Sequence, residues 1–516
     1  MILKPLMRAA GAAVALAALS AGAAFAQATD KAITVVLAVE PDSLDSCDTQ
    51  TAQNANVSRG NIYQSLTHVS PVDGSVEPLL AETWSRVGDL EWEFKLRSGV
   101  TFHDGTPFNA EVAAANIKRS QAGTDFYSGN LACYNSQQFT TPVEAAAVDE
   151  TTLRVTTTVP DPILPLRLTY IDMGSGPTQE LDEKITSPSG TGPYQFVERV
   201  QGAHIKLTRF DGYWGDVPQV KDVTYVYRVE PVVRVGMVQT GEAQMAVPIR
   251  AEDATGDDRT VAYKDNRIFL MRPMSFKEPF IDPRVRMALS YAVDRETIIP
   301  ALMGITGSPW YQMLGPQVNG YIPGYDDTEA MKYDPDKARE LLAAAAADGH
   351  DVNAQFDIIT RPDLFPGSDE VVQAIGQNLA DAGFNFRIQS MDTAAWLTFL
   401  RGPFPPEQPS TLMMISHDNT SGDASFSFPR YISCGGVVSS TCNEKIDQLL
   451  TQAEAAETDE RARLYQEAAR ILYTEESSMI GIAEQARLIL LGPDIDYTPN
   501  PLSGIEILIK DITVRQ

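Results

Sequence analysis

Five histidines, four cysteines and a scatter of loop carboxylates and guanidinium groups are the parts of this 516-residue sequence that could do chemistry. They do not assemble into a catalytic signature. There is no G-x-S-x-G, no H-E-x-x-H and no glycine-rich loop followed by Lys-Ser or Lys-Thr, so the common serine-hydrolase, zinc-protease and nucleotide-binding patterns are missing. His103 sits beside an Asp104-Gly105 turn with no second histidine at ligand spacing; it reads as a structural hydrogen-bonding group, and no metal site is expected. Gly190-Thr191-Gly192-Pro193-Tyr194 reads as a tight turn before a strand, because no helix opens after it. No enzyme activity and no cofactor are expected, with a secreted hydrolase of unfamiliar constellation as the alternative.

The cysteines point to disulfides. Cys434 and Cys442 flank a Gly-Gly and Ser-rich loop, and pairing them closes a short ring that stabilises by roughly 2–3 kcal/mol in the chain-entropy model. Cys47 and Cys133 are then left to each other by elimination, and two free thiols there stay open as the alternative. Neither spacing is Cys-x-x-Cys, which argues against zinc and redox motifs.

Binding chemistry is better represented. An apolar strand at 354–359 runs into Thr360-Arg361-Pro362-Asp363; a helix at about 369–382 ends at Gly383; a second strand follows. This is a parallel strand–helix–strand unit, and ligands of open α/β sheets lie at the strands' carboxyl ends. Arg361 lies at one such end, and Ser416, His417 and Asp418 lie at another, after the strand at 411–415. A Cys47–Cys133 bond would gather Asp48, Thr49 and Gln50 with Tyr134 and Asn135, supplying polar contacts and a stacking face.

The elements that must position these groups turn on the stretch Asn266–Arg295. A strand at 268–271 ends near Pro273; Asp282-Pro283 then caps a helix carrying Val285, Ala288, Leu289 and Ala292 on one face, with its arginines expected at the surface. A second helix runs from Asp294 to Gly304. Elsewhere a helix is expected over 52–63, a hairpin over 143–159, two amphipathic helices over 443–476 and a strand over 480–491 that crosses back to the first body. Residues 1–26 have Lys4 and Arg8, an alanine-rich apolar run and a small-x-small end, the pattern of a cleavable secretory leader. Its loss takes the formal charge from −27 to −29, a poor match to nucleic acid. No later window has ~18 uninterrupted apolar residues, so no bilayer span is expected.

The stretch FIDPRVRMALSYAVDRETII at 280–299 resembles a signature of the large extracytoplasmic solute-binding proteins of ABC transporters, the peptide/nickel class (family 5). EPDSLD at 40–45, WEFKLRSGVTFHDGTPFNAEV at 92–112 and GTGPYQF at 190–196 are similar to further motifs of that family, and the likeness spans essentially the whole mature chain. The resemblance implies an α/β, two-lobed, periplasmic-binding-protein-like fold of the class II type, with an extra small α+β domain inserted in the first lobe. It places domain I at 27–63, 190–272 and 487–516, domain II at 64–189 and domain III at 273–486. It implies a monomeric, periplasmic protein that captures a small solute, foremost a short peptide, and delivers it to ABC transporter permease subunits. By the same resemblance Arg361 would hold a peptide carboxylate and Asp418 a peptide amine, chemistry that suits a guanidinium fork and a carboxylate. Met414 and Ile415 stand where the family has Gly and Trp, which leaves room for an opine or a glycoside. A ligand sensor is the other use of such a cleft.

Overall fold

The computed structural model describes residues 29–515, apart from 50, 73, 122–132, 140, 177–183, 363, 420 and 501–505. Residues 1–26, the expected leader, and Gln50 lie outside the described residues.

One mixed sheet runs through both lobes. In chain order its strands are β1 (Lys31–Leu37), β2 (Tyr194–Val200), β3 (His204–Arg209), β4 (Val220–Tyr227), β5 (Met245–Val247), β6 (Thr260–Pro273), β7 (Gly307–Pro309), β8 (Phe356–Thr360), β9 (Phe386–Ser390), β10 (Thr411–Asp418) and β11 (Ile480–Leu491). They lie side by side as β2-β3-β4-β1-β5-β11-β6-β10-β8-β9, with β7 on β11. β1 is parallel to β4 and β5, and β8 is parallel to β9 and β10, so each lobe carries a parallel unit joined through the antiparallel pair β6 and β11.

Burial follows the period-two geometry of strands. On β1, Ile33, Val35 and Leu37 enter the first-lobe core with Tyr225, Met245 and Ile489, while Val36 faces a second layer with Val235, Val238, Leu488 and Leu490. Apolar residues on both faces match a sheet covered on both sides. The second lobe has one large core that takes Ile268–Met271, Leu289, Ile299, Ile358, Met414, Ile482 and Ala483; full burial of a leucine or isoleucine there contributes about 1.5–3 kcal/mol.

Two sequence expectations are corrected by this core. Ile268–Met271 belongs to the second lobe, so the boundary at 272/273 comes too late. The passage between lobes falls where the β6–β11 register shifts between Lys264 and Ile268, next to Asn266 at φ 56°. The return lies between Ala483, in the second core, and Leu488, on the first-lobe sheet. Of the three arginines of the central helices, Arg284 is part-exposed and paired with Asp282 and Asp348, as expected near the surface, but the other two are not at the surface. Arg286 and Arg295 are 3% and 1% exposed. Asp282 caps the helix α1 (Pro283–Ala292) through Arg284 N, and Asp294 caps α2 (Arg295–Met303) through Thr297 N. From these helices Arg286 donates to the carbonyls of Phe280, Ile281 and Glu476, and Arg295 to those of Gly481, Ser290 and Val293. Satisfied donors are what make burial of a guanidinium tolerable.

A smaller antiparallel sheet, in the order Ala81–Arg86, Glu91–Leu96, Thr152–Thr157, Val143–Asp149, packs with the helix Ala110–Ser120 around its own core of Phe94, Phe102, Ile117 and Leu153. His103 ties it to the first lobe: Gly190 N donates to Nδ1 and Nε2 meets the Gly192 carbonyl at 2.9 Å. Burial pushes this imidazole down to about 4. Gly190 and Gly192 lie so close to Ile62 and Asn61 that a Cβ would meet carbonyl oxygens at 2.0 and 2.2 Å. That close approach, rather than anion binding, accounts for the glycines. The helix expected over 52–63 covers only Ala52–Ala55; Ser58 Oγ donates to the Asn54 carbonyl and Gly60 turns to φ 69°, the kind of local competition that ends a helix.

Candidate functional site

A cavity of about 960 Å³ lies between the lobes. Its first-lobe wall is Leu37–Val39 beyond β1, Val247–Glu252 beyond β5, and Thr51, Gln53, Asn56 and Tyr134. The second-lobe wall holds Met303, Arg361, Phe365, Glu370 and Asp418; Arg267 of β6 and Gln485–Leu488 of β11 form the floor. The cavity therefore sits at the carboxyl ends of β1, β5 and β8, where open α/β sheets place ligands, and its size suits a small organic solute.

Arg361 stands just beyond β8. Its Nη1 donates to Thr393 Oγ1 at 2.9 Å and its guanidinium lies 4.8 Å from the centre of the Trp396 ring, both residues of the helix Thr393–Leu400. Trp396 is itself fixed by a bond from Nε1 to the Met414 carbonyl at 3.3 Å. A cation over an indole face with a hydroxyl at one edge is oriented as well as attracted. Asp418 ends β10 directly opposite Arg267 of β6, and their side chains meet at 3.3 Å. Tyr134 completes the wall; burial pushes its phenol pKa up, and the Asp418 charge adds to this.

The other expected site residues are placed differently. Strand alternation sends His417 to the face it shares with Ile268, away from the cavity lining. There it is buried against Tyr431 and Phe426, with Nε2 2.7 Å from Ser427 Oγ, and burial pushes its imidazole down to about 4. Ser416 stands behind the floor, bonded to Gln485 Oε1 at 3.3 Å. Asp48 is paired with Lys184 at 2.8 Å, and Asn135 donates to the Ser46 carbonyl and to Thr49 Oγ1. Asp48, Thr49 and Asn135 thus brace the wall from behind rather than line it. Both disulfides are present, Cys47–Cys133 and Cys434–Cys442. The first is backed by buried Asp45, whose carboxylate receives Arg119 at 2.8 and 2.7 Å.

Arg250, Arg267, Gln485 and Glu370 line the cavity without having been singled out from sequence. Arg267 becomes visible only through the pairing of β6 with β10, which no local pattern specifies. A second cavity, of about 770 Å³, opens beside Cys434–Cys442. It belongs to the second lobe alone, and its two charged residues, Arg286 and Glu476, are paired with each other at 2.9 Å. Among the described residues no group of three or more His, Cys, Asp or Glu side chains could hold a metal ion, and no helix is long and apolar enough to cross a membrane.

Two lobes closing on a cavity at their strand ends define a solute-binding protein. The chain belongs to the bacterial extracellular solute-binding proteins, family 5, whose pattern matches residues 75–425. It is 27% identical over 476 residues to the glutathione-binding protein GsiB of Escherichia coli, covering 89% of each chain. Its fold is similar to the substrate-binding protein CtaP of Listeria monocytogenes, with a TM-score of 0.81 at 20% identity over 95% of this chain and all of the other. It is likewise similar to the periplasmic binding protein DppA of Helicobacter pylori in complex with the peptide STSA, at 0.76 and 19% over 95% and 99%.

Proposed function

We propose that this protein is exported to the periplasm with loss of residues 1–26, captures a short peptide or a peptide-like solute, and hands it to the permease subunits of an ABC transporter without transforming it. The observation that carries the reading is the interlobe cavity, lined from both lobes and from the two crossing strands. A solute bridging such walls favours the closed form by its differential affinity, which is all that delivery requires. The glutathione- and peptide-binding relatives support the solute class. Arg361, held by Thr393 and Trp396, is the group that receives the solute's carboxylate; Tyr134 flanks the solute from the first lobe. The working units are a first lobe, the smaller sheet body within its sequence, and a second lobe, with the lobe changes inside β6 and β11.

The test is a thermal-shift screen of di- and tripeptides, glutathione, opines and glycosides on the mature protein, followed by small-angle scattering with the best hit. A peptide at a hundredfold excess over its dissociation constant should stabilise by ~2.7 kcal/mol and reduce the radius of gyration. Binding confined to glycosides removes the peptide reading, and turnover of the hit removes the transport reading.

A further inference from the structure

The clearest polar feature of the cavity wall is a carboxylate that the protein has already engaged. Asp418 and Arg267 face each other across the antiparallel β6–β10 pair, Nη2 to Oδ2 at 3.3 Å, and both line the cavity. Directly opposed residues of opposite charge on one sheet face hold each other in place. An ammonium approaching Asp418 would meet a carboxylate already facing a cation and an adjacent guanidinium of its own sign, so the attraction that would fix an amine is weakened. Of the other two carboxylates on the wall, Glu252 is paired with Arg250 at 2.9 Å. Glu370 sits in the first turn of the helix Ser368–Ala382, where the helix end already favours its negative charge.

We propose that Arg267 is a specificity-determining residue which stands in for the solute's amine, so that the cavity binds carboxylate-bearing solutes without requiring a cationic nitrogen. This rests on the assignment of Arg361 as carboxylate receptor, but it does not require that the solute be a peptide.

The experiment compares three forms of one tripeptide, Ala-Leu-Ala, by titration calorimetry on the mature protein: free, N-acetylated and C-amidated. N-acetylation should change affinity less than threefold, and C-amidation should weaken it at least tenfold. In Arg267→Met the free-amine form should gain at least tenfold over the acetylated one, and Arg267→Lys should restore the wild-type ratio. Should Arg267→Met fail to fold, the acetylation ratio of the wild type decides alone. A tenfold or greater loss on acetylation overturns the proposal while leaving the peptide reading intact, and abolition of that loss in Glu370→Gln would then assign the amine to Glu370. If no tripeptide form binds, the opines and glycosides of the screen decide. A binder with a carboxylate and no cationic nitrogen upholds the proposal and removes the peptide reading. A binder that needs a cationic nitrogen, or one with no carboxylate, overturns both.

Discussion

Arg286 and Arg295 in the helical core and Arg267 and Arg361 at the cavity are the same side chain in opposite situations. The first pair is 3% and 1% exposed and gives most of its donors to backbone carbonyls, with one side-chain partner each, Glu476 for Arg286 and Ser290 for Arg295. The second pair lines the interlobe cavity and meets other side chains: a carboxylate for Arg267, a hydroxyl and an indole face for Arg361. A guanidinium that serves several backbone carbonyls is architecture, because moving it strands them all at once. One that lines a cavity and meets side chains can exchange contacts with a ligand. Two of the three arginines in the motif at 280–299, Arg286 and Arg295, are of the first kind.

Breaking the buried class should cost the most. Arg461 and Asp423 are each 1% exposed and joined at 2.8 and 2.9 Å, so Arg461→Met leaves a buried carboxylate without its cation. A loss of about 3–5 kcal/mol in urea unfolding is expected, and a loss under 1 kcal/mol would show that Asp423 finds another partner. Acid sharpens the same point. Burial opposes ionisation of Asp423, but the Arg461 hydrogen bond and charge outweigh it and hold the group at about 2. Because this folded value is below the ordinary one, the stabilisation is present above pH ~4 and lost as pH falls toward 2.

Half-buried His103 and buried His417, both pushed down to about 4, act over a higher window. The unfolded chain binds their protons first, so stability should fall as pH drops from ~6.5 to ~4, by about 3 kcal/mol for each histidine. Denaturation midpoints at pH 7 and pH 4.5 measure it, and His417→Gln should flatten the profile. For the cavity class, Arg361→Ala should weaken solute binding by roughly 1.5–3 kcal/mol while moving the melting temperature of the unliganded protein little. A large loss of stability with unchanged affinity would place Arg361 with the architectural arginines instead. The smallest effect belongs to a bond between lobes, Arg430 Nη1 to Gln137 Oε1 at 2.9 Å. Arg430→Ala should remove about 0.5–1.5 kcal/mol from the closed form, seen as a larger radius of gyration without solute.

How much of this was legible in the residues depends on the range of the interaction. Helix starts at Asp282 and Asp294 are written in three or four consecutive residues, and each aspartate does accept the expected backbone bond. The parallel unit of β8, the helix after it and β9 was readable for the same reason, as was the pairing of Cys434 with Cys442 eight positions on. Burial of Arg286 and Arg295 was not readable, since their carbonyl partners Glu476 and Gly481 lie 190 and 186 residues away. The site was legible in part. Its place at strand ends and the presence of Arg361 and Asp418 on its wall follow from local order, whereas the sorting of Ser416, His417 and Asp418 depends on which face of β10 meets the core. That is set by the register with β6, and a one-residue slip would invert it.

That register has a mechanical side. Lobe closure must bend the ribbon formed by β6 and β11, and the ribbon's irregular stretch, Lys264 to Ile268 against Ala486 to Glu484, contains Arg267 and Gln485 of the cavity floor. The joint and the floor are therefore one object. A solute resting on that floor touches the very residues whose backbone must flex, so occupancy can be felt by the hinge itself without being relayed through either lobe, as a weight placed on the spine of a half-open book draws both covers together.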